Sequence, residues 1–226
     1  MHLRSLASLV LALVAIPLLS ASDERKKLVT QIESCEAILQ EFQASPATAI
    51  PPEVLRQAKG LVIVNEFQAG FIIGGKGGYG VAMVKRADGT WSVPTFLDAG
   101  EASLGLQLGA KSVNTIYVIN DEAGIRLLYR ARFNFGADAA AVAGPHATDV
   151  QEATQIIKAS VYVYQKNNGL FAGAKVKTGW LSADNSSNRL YYQTLRTMPE
   201  LLFADWVTPP EEARNLMTDV RNAAGN

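Results

Sequence analysis

The stretch Gly74-Gly75-Lys76-Gly77-Gly78-Tyr79-Gly80-Val81-Ala82-Met83-Val84 decides how this chain is read. Gly75 to Gly80 fits the pattern GxGxxG, which holds a dinucleotide only where a strand turns into a helix whose N-terminus meets the pyrophosphate. Here Val81 to Val84 reads as a strand, so the pattern is not a cofactor loop. Gly70 to Gly77 nearly fits a phosphate loop, but Gly77 stands where a hydroxyl residue must hold magnesium, and again no helix follows. The glycines are better explained as places where strands bend, bulge and approach closely in a strongly curved sheet. Further short β-like runs lie on either side: Leu61 to Asn65, Gly70 to Ile73, Tyr79 to Lys85, Thr90 to Val93, Leu104 to Leu108 and Thr115 to Ile119. They are too closely spaced for crossover helices, which predicts an antiparallel meander. Ala87-Asp88-Gly89 and Asn167-Asn168-Gly169 read as hairpin turns. The expected fold class is α+β: a glycine-rich, strongly curved antiparallel sheet, sandwich or barrel-like, with an N-terminal amphipathic helix and a C-terminal helix.

The N-terminal helix is read from Asp23 to Phe42, where Leu28, Ile32, Cys35, Leu39 and Phe42 recur at spacings of four and three and fall on one face. Arg25, Lys26 and Lys27 crowd its first turns, against the helix dipole. Two readings of this helix stay open. The basic run could meet anionic lipid head groups while the stripe enters the interface, or the stripe could pack on the domain core with the charges solvated. Pro46, Pro51 and Pro52 end the helix and lead into a short helical piece, Glu53 to Ala58. Asn120 is the expected N-cap of a helix from Asp121 to Tyr129, and Thr208-Pro209-Pro210 opens a final helix reaching Ala223.

Composition excludes several functions. The 226 residues are 48% hydrophobic, enough to bury a core, and Lys plus Arg balance Asp plus Glu at 21 each, without the basic excess of a nucleic-acid binder. The 2 histidines, His2 and His146, leave no pair for a zinc site. A Ser-His-Asp site could use only His146, with Asp149 to orient it, and no GxSxG elbow is present. Cys35 is the 1 cysteine, so no intrachain disulfide forms, and its place on the apolar stripe makes it a packed residue. No catalytic, cofactor-binding or metal-ligating residue is assigned, and no enzyme activity is expected. Arg4, the apolar run Leu6 to Leu19 and the small residues Ser20-Ala21-Ser22 have the anatomy of a secretory signal peptide. That run falls short of the roughly 20 residues that span a bilayer. The expected organisation is therefore a signal peptide, 1–22, and a single domain, 23–226, exported to the periplasm or beyond.

Taken together, Ile50-Pro51-Pro52, Ala58 to Ile63, Gly74 to Val81, Asp88 to Pro94, Gly105 to Gly109, Ala143-Gly144-Pro145 and Gly169 to Gly173 resemble, in order and spacing, the SYLF domain family. The resemblance runs from about Asp23 to Tyr192. It implies a non-enzymatic domain of antiparallel sheet and flanking helices that associates with membranes through lipid. It also makes the N-terminal helix the phosphoinositide-binding part. This chain departs from the family at Val113-Asn114 and at Ala147-Thr148, where an arginine that could contact an anion is missing. The resulting expectation is a peripheral lipid-binding protein on anionic, phosphoinositide-like membrane surfaces, using Arg25, Lys26, Lys27, Leu28, Ile32, Leu39 and Phe42. The alternative is an envelope structural or protein-binding module without lipid affinity, as actin binding in eukaryotic relatives suggests.

Overall fold

The computed structural model describes residues 3–69, 73–104, 111–139, 141–144, 159–167, 170–171 and 179–225. Helix α1 (Leu3–Gln43) and the short α2 (Pro52–Gln57) precede β1 (Gly60–Ala69), β2 (Ile73–Val84), β3 (Thr95–Leu104) and β4 (Lys111–Ile119). Then come α3 (Glu122–Leu127), β5 (Arg132–Phe133), α4 (Phe135–Asp138), β6 (Val142–Ala143), β7 (Val161–Asn167), β8 (Leu170–Phe171) and β9 (Trp180–Ala183). Helices α5 (Asn185–Tyr192), α6 (Met198–Phe203) and α7 (Arg214–Ala223) close the chain, with a 3-10 turn at Glu211–Ala213 before α7.

The strands form one 9-stranded sheet in the order β5-β9-β3-β2-β1-β4-β7-β6, with β8 on β7. It is the strongly curved antiparallel sheet expected from the glycines, in a half-barrel rather than a sandwich. The meander holds for β1-β2-β3 only: β4 returns to the free side of β1, and β6 joins β7 in a parallel pair. Curvature is visible at β2, where Gly80 faces Val64 and Gly78 faces Glu66. A Cβ on Gly78 would strike the carbonyl oxygen of Asn65, and one on Gly80 that of Ile63, so no larger residue fits this bend.

Several boundaries differ from the sequence reading. Thr90–Val93 is not a strand: it makes only the Lys85–Trp91 bridge, and β3 starts after Pro94, which cannot donate to a ladder. The cap of α3 is Asp121, not Asn120, because its carboxylate accepts from the Gly124 amide while Asn120 turns to the Ala159 carbonyl. Thr208 does not open α7, which follows the 3-10 turn at Glu211. Residues 70–72, 105–110, 145–150, including His146 and Asp149, and 168–169 in the second hairpin turn lie outside the described residues.

Each face of the sheet has its own core. Leu61 and Ile63 of β1, Val81 and Met83 of β2, Phe96 of β3 and Ile116 and Val118 of β4 meet α1, α5 and α7. The alternate residues, among them Val62, Val64, Ala82 and Leu97, meet α3, α4 and α6 through Ile125, Phe135, Met198 and Leu202. The two-residue period of the strands thus becomes two apolar layers. Phe42 and Ile32 are wholly buried in the first core. Truncating Phe42→Ala there should cost about 3–5 kcal/mol, lowering the melting temperature by about 10 °C in a domain of this size. Phe42→Asp should abolish cooperative unfolding in a thermal melt followed by circular dichroism, because it places an unpaired charge in the same site.

Candidate functional site

The sequence-expected site divides into two parts on α1. Leu28, Ile32, Leu39 and Phe42 all point into the first core, none more than 5% exposed, beside Cys35 and Ile38. In this structure the stripe faces the sheet and not solvent. The Cys35 thiol lies 3.8 Å from the Ile63 carbonyl oxygen, and burial pushes its pKa up to about 12, so it is inert as a nucleophile. Arg25, Lys26 and Lys27 stand beyond the packed part of the helix, each beside an acid.

Arg25 is a structural pin. Its guanidinium makes hydrogen bonds of 2.9 and 3.5 Å to the two carboxylate oxygens of Glu212, in the 3-10 turn before α7. It also lies 5.3 Å from the centre of the Tyr191 ring in α5. Glu212 is held below its ordinary value by the hydrogen bond from Arg25, and the same bond raises the pKa of Arg25. Tyr191 is pushed up to about 12, first by burial and then by the charge of Glu212.

Lys26 and Lys27 are the exposed cations. Lys26 Nζ is 3.7 Å from Asp23 and Lys27 Nζ is 2.7 Å from Glu24, with side chains 79% and 68% exposed. Pairs this exposed are worth little and exchange freely with other anions. Polar ties hold the middle and far end of α1. The Tyr79 hydroxyl donates to Ser34 Oγ at 3.0 Å, Lys166 meets Glu41 at 2.9 Å, and Gln40 donates to Asp219 of α7 at 2.8 Å. Sequence reasoning did not find Glu212, Tyr191 or Asp219. Glu211-Glu212 carries only the signal of acids at a helix start, and Arg25 and Glu212 are 187 positions apart.

Among the described residues, no group of three His, Cys, Asp or Glu side chains stands where it could hold a metal ion, and no helix is long and apolar enough to cross a membrane. Asp98 is raised by burial and by the charge of Asp184, but Asp184 itself caps α5, accepting from the Ser187 amide. It is not set up as a catalytic partner.

A protein-family comparison matches residues 100–223 to the family described as "Ysc84: Las17-binding protein actin regulator". The chain belongs to this family. This is the SYLF assignment expected from the sequence blocks, and it is not a family of enzymes. The chain is 30% identical over 195 residues to Protein YSC84 of Saccharomyces cerevisiae, covering 84% of this chain and 41% of that one. It is 28% identical over 211 residues to LAS seventeen-binding protein 3 of the same yeast, covering 92% and 45%. It is 27% identical over 197 residues to SH3 domain-containing YSC84-like protein 1 of Bos taurus, covering 84% and 57%. The chain spans about half the length of the curated relatives it matches. No solved structure matches it. The family match begins inside β3 and includes Glu212, so Arg25 to Lys27 lie outside it and the partner of Arg25 lies within it.

A double-mutant cycle on Arg25→Ala and Glu212→Ala, read from denaturant unfolding, should give a coupling of about 0.5–1 kcal/mol at neutral pH, since both side chains are about a third exposed. Glu212 binds its proton less readily when folded. The coupling should therefore be complete above the ordinary glutamate value of 4.5 and fade as pH falls below it.

Proposed function

We propose that the chain is a non-enzymatic peripheral binding module, exported to the periplasm or extracellular space. It meets anionic, phosphoinositide-like lipid surfaces with the exposed turn of α1 at Lys26 and Lys27, while the helix from Leu28 to Phe42 stays on the sheet. The observation that carries this reading is the position of Lys26 and Lys27. They are the exposed cations of a helix whose next apolar residue, Leu28, is already in the core. Arg25 fixes the direction of that turn through Glu212. Leu28, Ile32, Leu39 and Phe42 then support lipid contact by holding the helix, instead of inserting into the bilayer.

Magnitudes limit what this surface can do alone. At about 1 kcal/mol per cation near an anionic leaflet, Lys26 and Lys27 supply at most roughly 2 kcal/mol, an enrichment of at most about thirtyfold, and the neighbouring Asp23 and Glu24 oppose it. Such binding is weak, reversible and sensitive to salt, so a second contact would be needed for firm attachment. A protein partner is the second reading, and the burial of the stripe favours it. A helix committed to the core makes a rigid platform for protein binding, and the relatives named for binding Las17 suggest a partner of that kind.

The two readings separate in a flotation assay of the chain lacking residues 1–22, with phosphatidylcholine vesicles and with vesicles also containing phosphatidylserine or a phosphoinositide. The expected result is flotation with anionic vesicles at low salt, lost at high salt and lost in Lys26→Glu/Lys27→Glu. Flotation with no composition at low salt would exclude the lipid reading and leave the protein-binding module. Unchanged binding by the double variant would exclude Lys26 and Lys27 as the site.

A further inference from the structure

At the other end of α1, about 25 Å along the helix from Lys26, the C-terminal turns of α1 and α7 and the Ile50–Pro52 segment enclose an open groove of about 500 Å³. This is within the usual size of about 300–1,000 Å³ for ligand sites. Leu39 and Ile50 form its buried floor, and Ala44, Pro52 and Ala223 are its accessible apolar walls. Asp219 is the carboxylate on its rim, and Glu36 stands just behind the rim on α1. Gln40 Nε2 donates both to Glu36 Oε1 at 3.2 Å and to Asp219 Oδ2 at 2.8 Å, so one amide bridges two carboxylates. Among the described residues neither acid has a basic partner, and Glu36 is raised above its ordinary value by burial and then by the charge of Asp219.

Two further negative contributions converge here. Helices α1 and α7 both end at the groove, at Gln43 and Ala223, and a helix C-terminus carries about half a negative charge. The last turn of α1 holds no basic residue to offset it. The basic residue in the last turn of α7, Arg221, lines a separate pocket with Asp88 and Trp91. Arg56 is the cation near the rim, beside Gly225, and its guanidinium sits 3.8 Å from Glu53. The Gln43 and Asn222 side-chain amides make no hydrogen bond within the described residues and are available to orient an occupant.

We propose that this groove is a docking site for a segment of a partner protein that presents an apolar side chain next to a lysine or arginine. The apolar group lies against Ala44, Pro52 and Ala223, over the buried Leu39 and Ile50, and the cation lies against Asp219, with Glu36 behind it. The openness of the site suits a passing chain, and its charge rejects acidic segments. The proposal does not depend on the lipid reading, because it uses the opposite end of α1 and neither Lys26 nor Lys27.

The test is a titration of the isotope-labelled protein, followed by two-dimensional NMR, with blocked tetrapeptides of sequence GFKG, GFQG and GFEG and with phenylbutylamine. GFKG should shift the backbone amides of Ala44, Asn222 and Ala223 and half-saturate at about one-fifth of the concentration GFQG needs, while GFEG should produce no shift. Asp219→Asn should bring GFKG to the level of GFQG. Ala44→Trp should block both peptides without loss of melting temperature, since Ala44 is exposed on the rim. Equal binding of the three peptides, no binding by any, or binding unaffected by Ala44→Trp would overturn the proposal. Binding of phenylbutylamine without GFKG would also overturn it, making the groove a site for small amphiphilic cations.

Discussion

Contact between the Leu28–Phe42 stripe of α1 and one face of the curved sheet governs the rest of the structure, because two surfaces depend on it at once. Burying side chains of this size stabilises by about 1.5–3 kcal/mol each, so Leu28, Ile32, Leu39 and Phe42 together supply roughly 6–12 kcal/mol, on the scale of the whole stability of an ordinary domain. A membrane could take over burial of the stripe if the helix left. It could not cover Ile63, Val81, Met83, Ile116 and Val118, which the helix would leave behind in water. The glycines of β2 belong to the same constraint: Gly78 and Gly80 let the strand bend against β1 without a side chain in the way.

This constraint decides how the charges on α1 can act. Arg25 is tied to Glu212 and lies near Tyr191, which places α7 and α5 against the beginning of the packed helix. Lys26 and Lys27 remain outside that tie, and the two acids beside them, Asp23 and Glu24, balance their charge. Attraction to anions then rests on the reach of the exposed lysine side chains alone and is weak. The family description and the names of the yeast relatives concern binding to Las17 and regulation of actin, functions that ask for a stable platform more than for a helix that inserts. A rigid module with two exposed lysines at one end is compatible with both kinds of partner.

Much of this was legible in the sequence, and the failures have physical reasons. The three-and-four spacing from Leu28 to Phe42 marks a helix with one covered face, but periodicity cannot say whether sheet or lipid covers it. Glycine density announced close strand approach, and the failure of Val81 to Val84 to read as a helix removed the nucleotide-binding alternatives. Helix α5 escaped notice because Asn185-Ser186-Ser187-Asn188-Arg189 carries little apolar periodicity. It is instead fixed by Asp184 at its start and by the buried Asn188, whose side chain bonds to the backbone of Phe96. Strands of two residues, such as β5 and β6, leave no pattern to read. Above all, the Arg25–Glu212 pin joins groups at opposite ends of the chain, a contact that exists only once the sheet has brought α1 and α7 together.

The most direct test of the claim that α1 stays on the sheet is amide hydrogen exchange along the helix, with and without anionic vesicles. The account predicts that Leu28 to Phe42 keep the same slow exchange in both conditions and that any change is confined to Asp23 to Lys27. Rapid exchange appearing in β1 and β4 at Ile63, Ile116 and Val118 when vesicles are added, together with altered exchange along the stripe, would show that the helix leaves the core for the membrane and would contradict it.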